Sequence, residues 1–265
     1  MKKSIVVTTS STIEDFKKTI KKVAGLGFDG AEFAVRNPKD LKIESIINII
    51  KENNLEVPAI GTGQAYVKEG LSFTDPNESV RKMVVERIKS QVVFASNFNA
   101  QVIIGSIRGK IGESISREEA EEWVVKSLRQ CCNFAREHNV KIVLEPINRY
   151  KTNLINTVNQ GIQFIERVGV SNLGLLVDTF HMNIEEVSIC DSIIQAKDYI
   201  THVHFADSNQ WAPGCGHLDF KEIIKTLKKI DYQGYVSAEI LPLPDPDSAI
   251  RITAETLKKL NINYY

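Results

Sequence analysis

Short runs of β-branched and aliphatic residues alternate with longer amphipathic segments eight times along this chain. That alternation is the pattern of βα units, not of an antiparallel meander or a helical bundle. The strands it predicts are Ser4 to Thr8, Gly30 to Ala34, Val57 to Gly61, Gln101 to Ser106, Lys141 to Glu145, Gly174 to Asp178, Thr201 to Ala206 and Tyr235 to Ile240. Eight such units in 265 residues match the ~250 residues typical of an eightfold β/α barrel. The expected fold class is therefore α/β, a single (β/α)8 TIM barrel occupying residues 1–265 as one domain. No Pro/Gly/Ser-rich linker or low-complexity tract divides it.

Between the strands the helical period is strong. In SVRKMVVERIKSQVVFASNF, the residues Val80, Met83, Val84, Ile88, Val92 and Phe94 recur mostly at steps of three or four. Ser116, with Glu119 three positions later, reads as a capping box opening the helix that runs towards His138. The stretch from Thr62 to Asn77 is long for a βα connection. Long loops at a barrel's C-terminal face shape pockets, so a pocket wall or lid is expected there. The GTGQAY run, Gly61 to Tyr66, lacks both GxGxxG and the Gly-Lys-Ser/Thr ending of a phosphate-binding loop.

Lys plus Arg and Asp plus Glu number 33 each, so no net field favours nucleic acid or an anionic membrane. Small-molecule partners are expected instead. The four cysteines, Cys131, Cys132, Cys190 and Cys215, form no CxxC and no disulfide framework. There is no ~18-residue apolar run of the kind that crosses a bilayer. MKKSIVVTT reads directly into a strand, and a cytoplasmic location is expected.

Near the ends of four consecutive predicted strands stand Glu145, Asp178, His204 and Glu239, separated by 33, 26 and 35 residues. Each interval is about one strand-helix repeat, so the four side chains should meet around one axis. Three carboxylates buried together would repel one another and force protonation, a conflict that a divalent cation removes. Oxygen donors with one imidazole suit Mn²⁺ first, with Mg²⁺ and Co²⁺ as alternatives, better than a structural zinc. His202, two residues before His204, reads either as fixing a carboxylate ligand by hydrogen bond or as a plain core histidine. His181 falls in the loop after Asp178, where it can donate to a substrate oxygen. Arg108 and Arg149 follow strands and read as grips for a carboxylate or phosphate, or as structural ion-pair partners. His138 suits a helix C-terminus, and His217 belongs to the loop after strand seven.

At these residues the chain resembles the xylose isomerase-like barrels, in the branch of D-tagatose and D-psicose 3-epimerases. The motifs LEPINRY, VDTFHMNIEE, HVHFADSNQWAPGCGHLDF and VSAEILPLP carry that resemblance nearly end to end, and AIGTGQAY, EGLSFTDPN and VIIGSIRG look most like 5-keto-L-gluconate epimerase members. The resemblance implies that Glu145, Asp178, His204 and Glu239 are metal ligands, that Glu145 and Glu239 are also the catalytic proton-transfer pair, and that His181 binds substrate. Trp211, in the NQWAPGCG motif, is placed with the substrate contacts. Two positions depart from the pattern: Lys151 stands where the family commonly has glutamate, and Gln210 where it commonly has arginine. The first exchange adds two positive charges and the second removes one, a net gain of one that favours an anionic sugar over a neutral ketose. Relatives of this kind suggest a homodimer or homotetramer.

The activity so implied is metal-dependent epimerisation beside the carbonyl of a ketose or keto-sugar acid, through a cis-enediolate with two glutamates as acid and base. An aldose-ketose isomerase or keto-inositol dehydratase would start from the same enediolate. Phosphodiester hydrolysis and a non-catalytic sugar-binding barrel are the remaining alternatives.

Overall fold

The computed structural model describes residues 1–9 and 12–262. Eight parallel strands close into a barrel in sequence order: β1 Lys2–Thr8, β2 Gly30–Ala34, β3 Ala59–Gly61, β4 Gln101–Ile104, β5 Ile142–Leu144, β6 Leu173–Asp178, β7 Ile200–Phe205 and β8 Tyr235–Ala238. β1 pairs with both β2 and β8, which joins the first and last repeats and leaves no free edge. The predicted α/β barrel is thus the observed one. β3 begins two residues later than the alternation predicts, because Pro58 has no N–H for a ladder. β4 stops at Ile104, before a 3₁₀ turn over Ser106–Arg108.

Helices α1 Ile13–Gly25, α2 Ile43–Glu52, α3 Gly63–Glu69, α4 Glu78–Ser96, α5 Arg117–Glu137, α6 Val158–Val168, α7 Thr179–Glu185, α8 Ile189–Gln195, α9 Phe220–Lys229 and α10 Pro246–Lys259 surround the barrel. The period-3.6 pattern of α4 buries Val84, Ile88, Val92 and Phe94 while leaving Met83 exposed, so Met83 lies off the inward stripe. Ser116 caps α5 by accepting the Glu119 amide. The complete reciprocal box forms at α6, between Thr157 and Gln160. The long connection from Thr62 to Asn77 contains α3, and Asn77 caps α4.

Side chains alternate along each strand, so every second residue faces the axis. Inside β3 to β6 the axis is filled by Ala59, Ile103, Val143 and Leu176, a small apolar plug separate from the larger core between strands and helices. On the other half of the barrel, Ser4, Glu32, His202 and Ser237 are buried polar residues. Glu32 and His202 bond each other, while among the described residues the Ser4 and Ser237 hydroxyls find no hydrogen-bond partner.

Candidate metal centre

The four residues singled out from strand spacing converge. Asp178 is the last residue of β6 and His204 the penultimate residue of β7, while Glu145 and Glu239 stand one position beyond β5 and β8. One ligand atom from each lies within 4.8 Å of all the others. Nδ1 of His204 is 3.2 Å from Glu239 Oε2 and 3.8 Å from both Glu145 Oε1 and Asp178 Oδ2. Glu145, Asp178 and His204 are buried, whereas the Glu239 side chain is 42% exposed and opens towards the cavity.

Local chemistry aims each group. Asp178 is the N-cap of α7: its Oδ1 accepts from the Phe180 and His181 amides, at 2.7 and 3.4 Å, which leaves Oδ2 for the cluster. Glu145 packs against Gly105, where a Cβ would collide with its carboxylate. His204 turns its other nitrogen, Nε2, to Glu32 Oε1 at 2.9 Å. His181 is buried, 3.9 Å from Glu145 Oε1 through Nε2. Its Nδ1 meets Asn148 Nδ2 at 2.8 Å, and the Asn148 carbonyl oxygen accepts from the Tyr150 amide, which fixes the amide's orientation. His181 Nδ1 is therefore the acceptor, and Nε2–H is left to donate.

The electrostatics match a cation site. Burial, then the charge of Glu239, pushes the Glu145 carboxyl up to about 8. Burial likewise carries Asp178 to about 7, against the pull of His204 and with the push of Glu239. Burial would raise Glu239 too, but His204 holds it below the usual carboxylate range. For His204 the desolvation cost is outweighed by Glu32 and Glu239, so its pKa is raised. Burial and the charge of Lys151 pull His181 down to about 3, which keeps it neutral. Glu145 Oε1 and Asp178 Oδ2 are buried without a hydrogen-bond partner. Two orphaned carboxylate oxygens beside an imidazole nitrogen are a donor set that fits a divalent cation.

A pH dependence follows for the metal-stripped protein. Glu145, Asp178 and His204 keep protons in the folded state that the unfolded chain has already released, so stability falls as pH rises through their folded values. His181 and His202, both lowered, act in the opposite sense, but that contribution is spent above the ordinary histidine value of 6.5. Melting of EDTA-treated protein should therefore shift downward from pH 6.5 to 8, by about 2–4 °C for each kcal/mol lost. Mn²⁺ affinity should climb over the same window, because the ion competes with those protons. A metal-free melting temperature that rises across it would contradict this account.

Other expected site residues fall elsewhere. Arg108 does not reach the mouth: it is fully buried, and its guanidinium donates to the carbonyls of Leu154, Gly105, Glu145 and Ile155 at 3.0, 3.0, 2.5 and 2.8 Å. Arg149 lies outside, in a two-pronged pair with Glu185, at 3.0 Å through Nε and 2.8 Å through Nη2. The grip on a substrate anion is therefore corrected for the fully buried Arg108, while Arg149 takes the structural ion-pair reading that the sequence also offered. His202 bonds Glu32 at 2.7 Å, not a carboxylate of the cluster. His217 is exposed against Ser208, and His138 bonds the Phe134 carbonyl at the end of α5.

Lys151 is exposed, its Nζ 5.6 Å from the Phe180 ring centre, beside His181. Gln210 and Trp211 are half-buried in the loop after β7, where Gln210 adopts φ 62°. That loop is wound around the buried Asp207, which accepts from the Ser208, Gly214 and Leu218 amides. Glu32, Gly105 and Asn148 were not singled out from the sequence. Each acts through a partner on another strand or loop, and their sequence signals are faint: a lone acid inside the hydrophobic strand GAEFA, and a glycine at a strand end.

A cavity of about 740 Å³ opens from the cluster over β1 to β4. Ala34, Gly61 and Gly105 line it, small residues that leave this half of the mouth hollow. Gly61, Thr62, Gly63, Gln64, Val67 and Lys68 form one side, so the long connection after β3 is the expected pocket wall. Arg36, Asn37 and Asp40, after β2, form another.

A closed eight-stranded barrel with an acid-and-histidine cluster at the carboxyl ends of its strands places the chain in the α/β-barrel class, where that face carries the active site. Residues 20–260 match the xylose isomerase-like TIM barrel family, and the chain belongs to it. It is 31% identical to the D-psicose 3-epimerase of Enterocloster bolteae over 235 residues, 85% of this chain and 77% of that protein. It is 30% identical to the L-ribulose 3-epimerase of a Methylomonas species over 225 residues, 84% of this chain and 77% of that protein. A 3-dehydro-D-guloside 4-epimerase of Escherichia coli is 35% identical over 131 residues, about half of each chain. Among solved structures, D-psicose 3-epimerase of Clostridium cellulolyticum with D-tagatose superposes with a TM-score of 0.83 at 26% identity, covering 98% of both chains. The 3-keto-D-glucoside 4-epimerase of Escherichia coli gives 0.86 at 26% identity, covering 98% of this chain and 99% of that one. With such homologues the chain is an enzyme of the isomerase class.

Proposed function

We propose that this protein is a divalent-metal-dependent epimerase acting at the carbon next to the carbonyl of a ketose or keto-sugar acid. The observation that carries this is the meeting of Glu145, Asp178, His204 and Glu239 within 4.8 Å, with two of their oxygens buried and unpaired. Those four residues would hold the ion, with Mn²⁺ the first choice for an oxygen-rich set with one imidazole. The ion would supply positive charge to oxygens of the substrate as negative charge develops there.

Epimerisation removes a C–H proton beside the carbonyl and returns one to the opposite face, through a cis-enediolate. Glu145 and Glu239 are the acid and base. One takes the proton at a carboxylate oxygen while the other, protonated, delivers, and the reverse reaction exchanges the roles. The environments of the two pull their pKa values apart, Glu145 upward and Glu239 downward, the arrangement an acid and a base need. His181, neutral, would donate from Nε2–H to a sugar oxygen. The test is a screen of ketoses and keto-sugar acids with added Mn²⁺ in heavy water, read by NMR. Deuterium at one stereocentre without loss of water supports epimerisation; an aldose product or dehydration transfers the assignment to the isomerase or dehydratase reading.

Lys151 gives the substrate class its charge. Its ammonium stands at the mouth beside His181 and influences it electrostatically, so an acidic substituent on the sugar is favoured. Lys151→Glu should shift the ratio of kcat/KM values from a keto-sugar acid toward neutral ketoses, by about tenfold or more if a charged contact of ~1.4 kcal/mol or greater is lost. An unchanged ratio would remove Lys151 from substrate selection.

A second reading, for substrate shape, comes from the cavity. It measures about 740 Å³ and extends beyond the cluster to Arg36, Asn37, Gln64 and Lys68. A keto sugar bearing a further substituent would fill it, as the names of the keto-glycoside 4-epimerase relatives suggest. Keto-glycosides therefore belong in the same screen.

A further inference from the structure

Below the four-residue cluster the barrel axis holds a second arrangement. Glu32, on β2, is fully enclosed and uses its two oxygens separately: Oε1 meets His204 Nε2 at 2.9 Å, and Oε2 meets His202 Nε2 at 2.7 Å. All three side chains are at most 2% exposed. The same three could be read as a second cation site. The contacts argue otherwise, because 2.7 and 2.9 Å are direct N–H···O distances with the donor and acceptor already joined.

We propose that Glu32 is a positioning residue that decides which nitrogen of His204 can bind a metal. A buried carboxylate has no proton to give and accepts from both imidazoles at once, so each ring must carry its hydrogen on Nε2. His204 is then left with Nδ1 as its ligating atom, and Nδ1 is the nitrogen surrounded by Glu239, Glu145 and Asp178. The hydrogen bond also locks the ring's rotation and makes its free nitrogen a better donor to a cation. His202, from one layer lower, shares the carboxylate and keeps it from turning away. No other side chain type does this with the same shape: glutamine can accept from one ring, but its amide N–H₂ faces the other and forces that ring to present a bare Nε2. This inference rests on the metal-centre reading of the cluster, and two measurements separate the two.

The first is ¹⁵N-correlated NMR of the histidine rings in the wild-type protein, metal-free and with Mg²⁺. The expected result is a protonated Nε2 on His204 in both states, with only the Nδ1 resonance shifting on Mg²⁺ addition. A bare Nε2 with a retained Nδ1 proton in either state overturns the proposal. The second is Mn²⁺ titration of wild type and Glu32→Gln, following free Mn²⁺ by electron paramagnetic resonance. Affinity should fall by about 10–100-fold, the range for loss of a carboxylate partner behind a metal-bound histidine, with one ion per chain in the wild type. Undiminished affinity, or a second ion lost with Glu32, refutes the positioning role. If Glu32→Gln does not fold, the wild-type ring spectrum still decides. If wild-type protein takes up no Mn²⁺, the metal-centre reading fails, and the Nε2 proton reports on the hydrogen bond regardless.

Discussion

Glu239→Gln should remove turnover, lowering kcat by about 10²–10⁴-fold, the usual contribution of one positioned acid or base, while the protein stays folded. Its side chain is 42% exposed and, among the described residues, its one hydrogen-bond contact is the 3.2 Å approach to His204, so little packing is lost with the charge. Glu145→Gln should have the same kinetic effect for a different physical reason. Burial already drives that carboxyl towards its neutral form, so the neutral amide fits the metal-free site and the melting temperature should hold. The decisive measurement is substrate deuterium exchange at saturating Mn²⁺, with bound metal quantified for each variant, so that loss of the ion is not mistaken for loss of a base. If either variant, metal-loaded, exchanges the proton at more than about a tenth of the wild-type rate, that glutamate is not one of the proton-transfer pair.

Arg108→Met should lower the melting temperature by about 4–24 °C. Four backbone carbonyls on three segments converge on the buried guanidinium, and methionine fills the volume without supplying a donor. The Gly105 and Ile155 carbonyls keep the Arg108 and Ile147 amides, but leaving those of Leu154 and Glu145 unpaired costs about 1–3 kcal/mol each, and each kcal/mol is worth about 2–4 °C in a protein of this size. Arg108→Lys should rescue only part of the loss, because one ammonium cannot reproduce the planar fork that reaches Gly105, Glu145, Leu154 and Ile155 together. Thermal melts of the two variants check the ordering. Mn²⁺ affinity should drop as well, since Arg108 holds the carbonyl of Glu145 itself. A melting temperature within about 3 °C of wild type for Arg108→Met would show that those carbonyls find other partners and that the residue does not brace the site.

Arg108 illustrates where a linear reading stops. Its position after a strand marks the mouth of the barrel, and a guanidinium at a mouth suggests a grip for an anion. The 3₁₀ turn at Ser106–Arg108 instead directs it inward, where the loop over Leu154 and Ile155 supplies carbonyls that no spacing rule could place. Arg149 is claimed by the carboxylate of Glu185 at the end of α7. Trp211 and Gln210 lie in a loop whose path is set by Asp207 accepting three amides, a buried N-terminal anchor hidden within the motif that suggested substrate contact.

What the amino-acid order determined by itself was periodic. Alternation at two along short runs and at three to four along longer ones specified eight βα units, and the position of one polar residue near each of four strand ends specified Glu145, Asp178, His204 and Glu239 as a set. These are local properties: a strand's alternation decides which side chains face the axis before anything is known about neighbours. Closure of the barrel decided the rest. Glu32 and His202 are 170 residues apart and meet because β8 returns to β1, and the hollow over β1 to β4 exists because Ala34, Gly61 and Gly105 fall on the same rim. Which residue faces inward is written in the chain; which partner it finds there is fixed by the ring of strands, since only the ring sets distances between residues so far apart.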